Sequence, residues 1–148
     1  MNQSRDQRLL AFDVGTRRIG VAVGQETTGG ASALTTLDVA GRNPDWQAIA
    51  RLLDDWTPDR LVVGYPRPAD DGDSDVSRAA KRFARQLEGR FGLPVDLVDE
   101  RLSTWEAEQR QRRANRRSAQ KNKLDALAAC VILESWYQQR RSATDRLA

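Results

Sequence analysis

Apolar residues run almost without a break from Leu9 to Phe12, stop at Asp13, and resume as an alternation of Ile19, Val21 and Val23. A continuous apolar run suits a strand buried on both faces, and the alternation suits a second strand. Gly15, Thr16, Arg17 and Arg18 between them have the length of a hairpin loop. Residues 31–39, bounded by Gly29, Gly30 and Gly41, read as a third strand. Asn43 and Pro44 then supply a helix N-cap and a proline at the first helical position. Trp46, Ile49, Ala50, Leu53 and Trp56 recur on one helical face, and Thr57, Pro58 and Asp59 end that helix.

Leu61, Val62, Val63 and Gly64 form a short buried strand that stops at Tyr65 and Pro66. A polar loop comes next, in which Asp71, Asp73 and Asp75 mimic the start of a calcium loop. Val76 stands where that loop needs Gly and Arg82 where it needs Glu, so these acids read as charge at a helix N-terminus. Val76, Ala80, Phe83, Leu87 and Phe91 line one face of the helix, which turns Lys81, Arg82 and Arg85 toward water. Residues 95–100 alternate as a last strand, and Ser103 or Thr104 can cap the next helix. The final helix, about 123–139, carries Leu124, Leu127, Ala128, Val131 and Ile132 with little polar surface, so it is mostly buried; 140–148 reads as a frayed tail.

Short turns make the first three strands antiparallel, and returns through helices make the other two parallel to the first. The expected fold is therefore α/β: a mixed five-stranded sheet, three strands antiparallel and two parallel, with helices on both faces. Its 148 residues, without an internal repeat or linker, make one domain spanning 1–148.

Composition narrows the chemistry. Histidine is absent, which excludes imidazole-based nucleophile pairs and zinc sites. The lone Cys130 excludes an internal disulfide and favours the cytoplasm, as does the lack of an apolar leader or membrane-length run. The formal net charge is only +3, but Arg110, Arg112, Arg113, Arg116, Arg117, Lys121 and Lys123 crowd 110–123 with no acid among them. Such a run is either a solvated mobile segment or counter-charge for a nucleic acid.

Three acids stand in awkward places. Asp13 ends a buried strand, where it is either functional or a residue that shapes the turn. Glu100 ends another strand, able to pair with Arg101 or to act in chemistry. Asp125 lies near the start of the last helix, answering the helix dipole or facing the other two. Parallel first and last strands put Asp13 and Glu100 on one sheet edge, and a helix packed over that face brings Asp125 there. Three carboxylates without a cationic neighbour repel one another. A pair of Mg²⁺ or Mn²⁺ ions about 4 Å apart would relieve that repulsion and perform phosphoryl chemistry.

The motifs that carry these acids resemble the YqgF family of pre-16S rRNA nucleases: Asp-Val-Gly-Thr at 13–16, Ile-Gly-Val-Ala-Val-Gly at 19–24, Asp-Glu-Arg-Leu-Ser-Thr at 99–104 and Leu-Asp-Ala-Leu-Ala-Ala at 124–129. That family is similar to Holliday-junction resolvases and has a ribonuclease-H-like fold. The resemblance implies that Asp13, Glu100 and Asp125 are the acidic, metal-holding triad. It also implies trimming of the 5′ end of small-subunit rRNA precursors, with RNA and the ribosome or its assembly intermediates as partners and no membrane. Two positions depart from the resolvases: no acid ends the strand at Gly64, and Asn122 stands where a second Asp is usual. Branched-DNA cleavage is the alternative activity.

Around this site Gly15, Thr16, Arg17, Arg101, Ser103 and Thr104 are expected to approach the scissile phosphate, through small side chains, backbone N–H groups or the two guanidiniums. Arg112, Arg113, Arg116 and Arg117 would hold the substrate backbone. Trp105 is either a stacking platform or a core residue. Two other classes compete: an ATP-dependent phosphotransferase, for which one domain is too little, and a binding protein without catalysis. The sequence sets no oligomeric state.

Overall fold

A computed structural model describes residues 6–15, 17–67, 75–101 and 118–147. Strands β1 (Arg8–Val14), β2 (Arg18–Gln25) and β3 (Gly30–Ala40) form an antiparallel meander, and a short β4 (Asn43–Pro44) adds to its edge. Helix α1 (Trp46–Trp56) leads to β5 (Arg60–Arg67), and α2 (Asp75–Phe91) to β6 (Val95–Arg101). The last helix is α3 (Ser118–Leu147). The sheet order is β4-β3-β2-β1-β5-β6, with β5 parallel to β1 and β6 parallel to β5.

The expected mixed α/β sheet is present, with six strands rather than five. The extra one arises because Gly41, at φ 64°, turns the chain back so that Asn43 and Pro44 pair with Ala40 and Val39. Asn43 is thereby a strand residue, and the cap of α1 is Asp45, whose carboxylate accepts from the Ala48 N–H at 3.1 Å. Thr57, left-handed at φ 43°, ends the helix by donating its N–H to the Leu53 carbonyl.

Strand parity divides the core. Leu10, Phe12 and Val14 of β1 face one layer with Ile49 and Leu53 of α1 and Ala80, Phe83 and Leu87 of α2. Leu9 and Ala11 face the other, with Ala129, Ile132, Leu133, Trp136 and Tyr137 of α3. Arg82 and Arg85 are exposed as expected, but Lys81 is half-buried, its ammonium 5.2 Å from the Tyr65 ring centroid. Residues 118–123, the last part of the basic run, belong to α3. At its other end the helix runs on to Leu147, past the point where a frayed tail is expected.

Polar anchors fix α3 on the sheet. The Trp136 indole N–H donates to Asp96 at 2.7 Å, and Asp96 also pairs with Arg60 at 2.9 Å. The Tyr137 hydroxyl donates to the Gly30 carbonyl at 2.8 Å. Burial, and secondarily Glu26, push the Tyr137 phenol from an ordinary 10.0 up to about 12. A raised folded value means that this contribution is whole below the unfolded value and disappears as pH rises through the folded one. Stability is therefore expected to fall between pH 10 and about 12, by on the order of 2 kcal/mol, and less steeply in Tyr137→Phe; parallel denaturant titrations of the two proteins measure the difference.

Candidate active site

Asp13 sits one residue from the end of β1 and is only 6% exposed. Its parity is that of Leu9 and Ala11, so it belongs to the layer covered by α3. It is a ladder residue, paired with Gly20 of β2 and Gly64 of β5. The turn beyond it is closed by the Gly15 N–H donating to the Arg18 carbonyl at 2.9 Å, so Asp13 lies inside the sheet rather than in the turn.

The two glycines beside Asp13 decide where α3 sits. A β-carbon on Gly20 would lie 2.0 Å from the Asp125 carbonyl oxygen, and one on Gly64 would lie 2.3 Å from Ile132 Cδ1. Farther along β2, a β-carbon on Gly24 would meet the Tyr137 hydroxyl at 2.6 Å. The helix thus descends onto backbone and not onto side chains. Because Gly20 is the cross-strand partner of Asp13, this contact sets Asp125 directly beside it.

Asp125 is half-buried in the body of α3, which begins at Ser118. The helix dipole acts within the first turn and does not account for an acid there. Its carboxylate instead meets Arg18, whose Nε donates to Asp125 Oδ2 at 2.9 Å. The expected cluster without cationic neighbours is corrected accordingly: among the described residues Arg18 partly neutralises it. Arg18 shares strand parity with Gly20 and Ala22, which places it on the α3 face, and that parity was the available sequence signal.

Glu100 occupies the next-to-last position of β6, opposite Pro66 and two residues beyond the buried Val98 of the α3 layer. The C-terminal edge of the parallel strands therefore carries the backbone of Glu100 as well as Asp13; the Glu100 and Arg101 side chains lie outside the described residues. Arg17 is exposed, and its carbonyl accepts from the Val39 N–H at 2.9 Å. The Gly15 N–H is engaged by the turn. Thr16, Ser103, Thr104, Arg112, Arg113, Arg116 and Arg117 lie outside the described residues.

The donors gathered here are hard carboxylate oxygens, the set that suits Mg²⁺ or Mn²⁺. Asp13 and Asp125 fit such an ion by the chemistry of their oxygens and by sharing the α3 face of the sheet. No group of three potential ligands is complete among the described residues.

The sheet order, the covering helix and the acids at the strand ends define a ribonuclease-H-like fold of the resolvase kind. A structure of RuvC from T. thermophilus, in complex with Holliday junction substrate, shares it at a TM-score of 0.50 and 15% identity, over 92% of this chain and 96% of that one. The RuvX family profile, described as Holliday junction resolvase, matches residues 7–139, and the chain belongs to that family. Relatives named "Putative pre-16S rRNA nuclease" include one from Chromohalobacter salexigens, 49% identical over 93% of both chains. Another, from Azotobacter vinelandii, is 48% identical over 89% of this chain and 94% of its own. The chain is a nuclease of this family.

Proposed function

We propose that the protein hydrolyses phosphodiester bonds of 16S rRNA precursors, at the 5′ side, in the cytoplasm, with Asp13, Glu100 and Asp125 holding a divalent metal, Mg²⁺ or Mn²⁺. The observation that carries this reading is the seating of Asp125 over Gly20, beside the buried Asp13. Carboxylate oxygens brought together on one face are the donors a hard divalent cation takes. Arg18 supplies one positive charge, and a divalent ion would supply the rest. A divalent ion held by these residues would supply activation of water and stabilisation of the leaving oxygen. The chain itself holds Asp13 in the sheet ladder and excludes solvent from it by packing α3, which carries Asp125, over that face. The names of the relatives favour an RNA substrate. Ribosome assembly intermediates would be the form in which that RNA is met.

Mapping the 5′ ends of a precursor 16S fragment after incubation with protein and Mg²⁺ or Mn²⁺ tests the substrate. The expected result is a discrete new end on the precursor and little cutting of a four-way DNA junction. Preferential junction cleavage would make the protein a resolvase, and tight RNA binding without any cleavage would make it a binding protein.

Arg18 gives an independent check on the metal. Its guanidinium competes for an Asp125 oxygen and repels a dication. Arg18→Gln is expected to lower the Mn²⁺ concentration for half-saturation roughly threefold by calorimetry. Its stability without metal should drop by less than about 1 kcal/mol, since the pair is partly exposed. Weaker Mn²⁺ binding in the variant would show that Arg18 positions Asp125 rather than competing with metal.

A further inference from the structure

The end of β1 presents two faces. Asp13 turns to α3, whereas Val14 belongs to the opposite layer, where it joins Val39 and the buried Phe83 in the floor of an open cavity of about 410 Å³. The rim carries Arg42, from the turn between β3 and β4, and Arg78 and Arg82, four residues apart on α2 and therefore neighbours on its surface. All three arginines are exposed, and no acidic side chain lines the cavity among the described residues. Gln86, one helical turn beyond Arg82, brings both a donor and an acceptor to the wall.

An apolar floor, a cationic rim and one amide match the parts of a nucleotide: the face of a base, its phosphate, and the hydrogen-bonding edge of the base. The volume lies toward the small end of ligand cavities, enough for one nucleotide and too small for a duplex. Gly15 lines the cavity and is two residues from Asp13, so the cavity and the carboxylates lie on opposite faces of the same strand end. A single strand that crosses the β1–β2 turn would reach both.

We infer that this cavity is a subsite for one unpaired nucleotide of the substrate strand, next to the bond cut at the carboxylates; the inference rests on the nuclease reading above. The subsite makes a single-stranded extension beside the cleavage point a recognition element. A fully paired end cannot deliver a base into the cavity. Neither Arg42, Arg78 nor Arg82 belongs to the carboxylate site, so their part in binding is separable from catalysis.

The test uses the full chain without metal, so that binding is read apart from cleavage. Fluorescence anisotropy compares an RNA hairpin bearing a short single-stranded extension with the same hairpin blunt. For Arg42→Gln combined with Arg82→Gln, the Kd of the extended RNA is expected to rise about tenfold and the blunt RNA to bind unchanged. The slope of log affinity against log salt should shrink by about 1.4, the share of two phosphate contacts to a single strand. A 4-thiouridine in the extension should crosslink to α2 in the unsubstituted protein. Equal weakening toward both RNAs would overturn the subsite in favour of diffuse electrostatics, and so would no weakening. Displacement of the crosslink by uridine monophosphate as effectively as by extended RNA would overturn it in favour of a free-nucleotide site. Selective binding without cleavage in Mg²⁺ would uphold the subsite and sink the nuclease reading; cleavage without selective binding would do the reverse.

Discussion

Asp13→Asn is expected to lower metal-dependent cleavage by about a thousandfold, or ~4 kcal/mol in the barrier, while the protein stays folded. Asp13 is buried at the end of β1, in the layer that α3 covers, with Asp125 seated over its cross-strand neighbour Gly20. Asparagine keeps the shape and removes the charge. The same change removes an anionic oxygen from the proposed metal site. Melting temperature without metal and single-turnover rate with metal measure the pair. A residue that served only to hold the hairpin would show the opposite pattern, a lower melting temperature and a rate near normal.

Gly20→Ala should be nearly as damaging to cleavage without touching a carboxylate. The new methyl would lie 2.0 Å from the Asp125 carbonyl oxygen and 2.3 Å from its carbonyl carbon, and neither is the movable end of a side chain. The first turns of α3 must lift from the sheet, carrying Asp125 away from Asp13. A misplacement of about 1 Å in such a constellation lowers rates on the order of a hundredfold, and overpacking of this kind costs about 1–3 kcal/mol of stability. Gly24→Ala is the matched comparison. It collides with the Gly30 carbonyl, Leu133 and Tyr137, at a part of α3 about 12–18 Å along the helix from Asp125. It is expected to destabilise similarly and to spare much more of the single-turnover rate. Gly89, whose β-carbon would meet nothing, provides a third point: Gly89→Ala in α2 should add about 0.5–1 kcal/mol of stability with cleavage unchanged. Equal rate losses in Gly20→Ala and Gly24→Ala would mean that the seating of α3 matters only as packing.

The sheet was legible because strand parity is written in the chain. Leu9 and Ala11 against Leu10 and Phe12 assign β1 to two layers, and the helices that fill those layers announce themselves at helical spacing. The strand count was not legible. β4 exists because Gly41 reverses the chain, and its two residues are too few to carry a pattern. The site was half legible. Asp13 and Asp125 stood out as acids in apolar surroundings, yet nothing periodic in α3 tells which of its residues lies over which strand. That register is set by Gly20, Gly24 and Gly64, residues that leave no hydrophobic signal and show only as gaps in strands. Arg18 was hidden for the same reason: its face is given by parity, but its partner is 107 positions away in the chain. Arg82 read as part of a solvated face and Arg78 carried no signal, since a cavity between α2 and a distant turn has no counterpart in local sequence.

If Asp13 and Asp125, with Glu100, form one metal-dependent hydrolytic centre at the edge of the sheet, removing either aspartate charge must stop the chemistry and spare the binding. Single-turnover cleavage of a structured precursor 16S rRNA fragment in Mg²⁺ or Mn²⁺ decides this, run with the unsubstituted protein, Asp13→Asn and Asp125→Asn, and with RNA binding measured on the same samples. Cleavage is expected to need the metal and to vanish in both variants while binding and folding persist. Equal binding by all three proteins with cleavage in none, or cleavage that ignores the substitutions, would contradict a carboxylate centre at this edge.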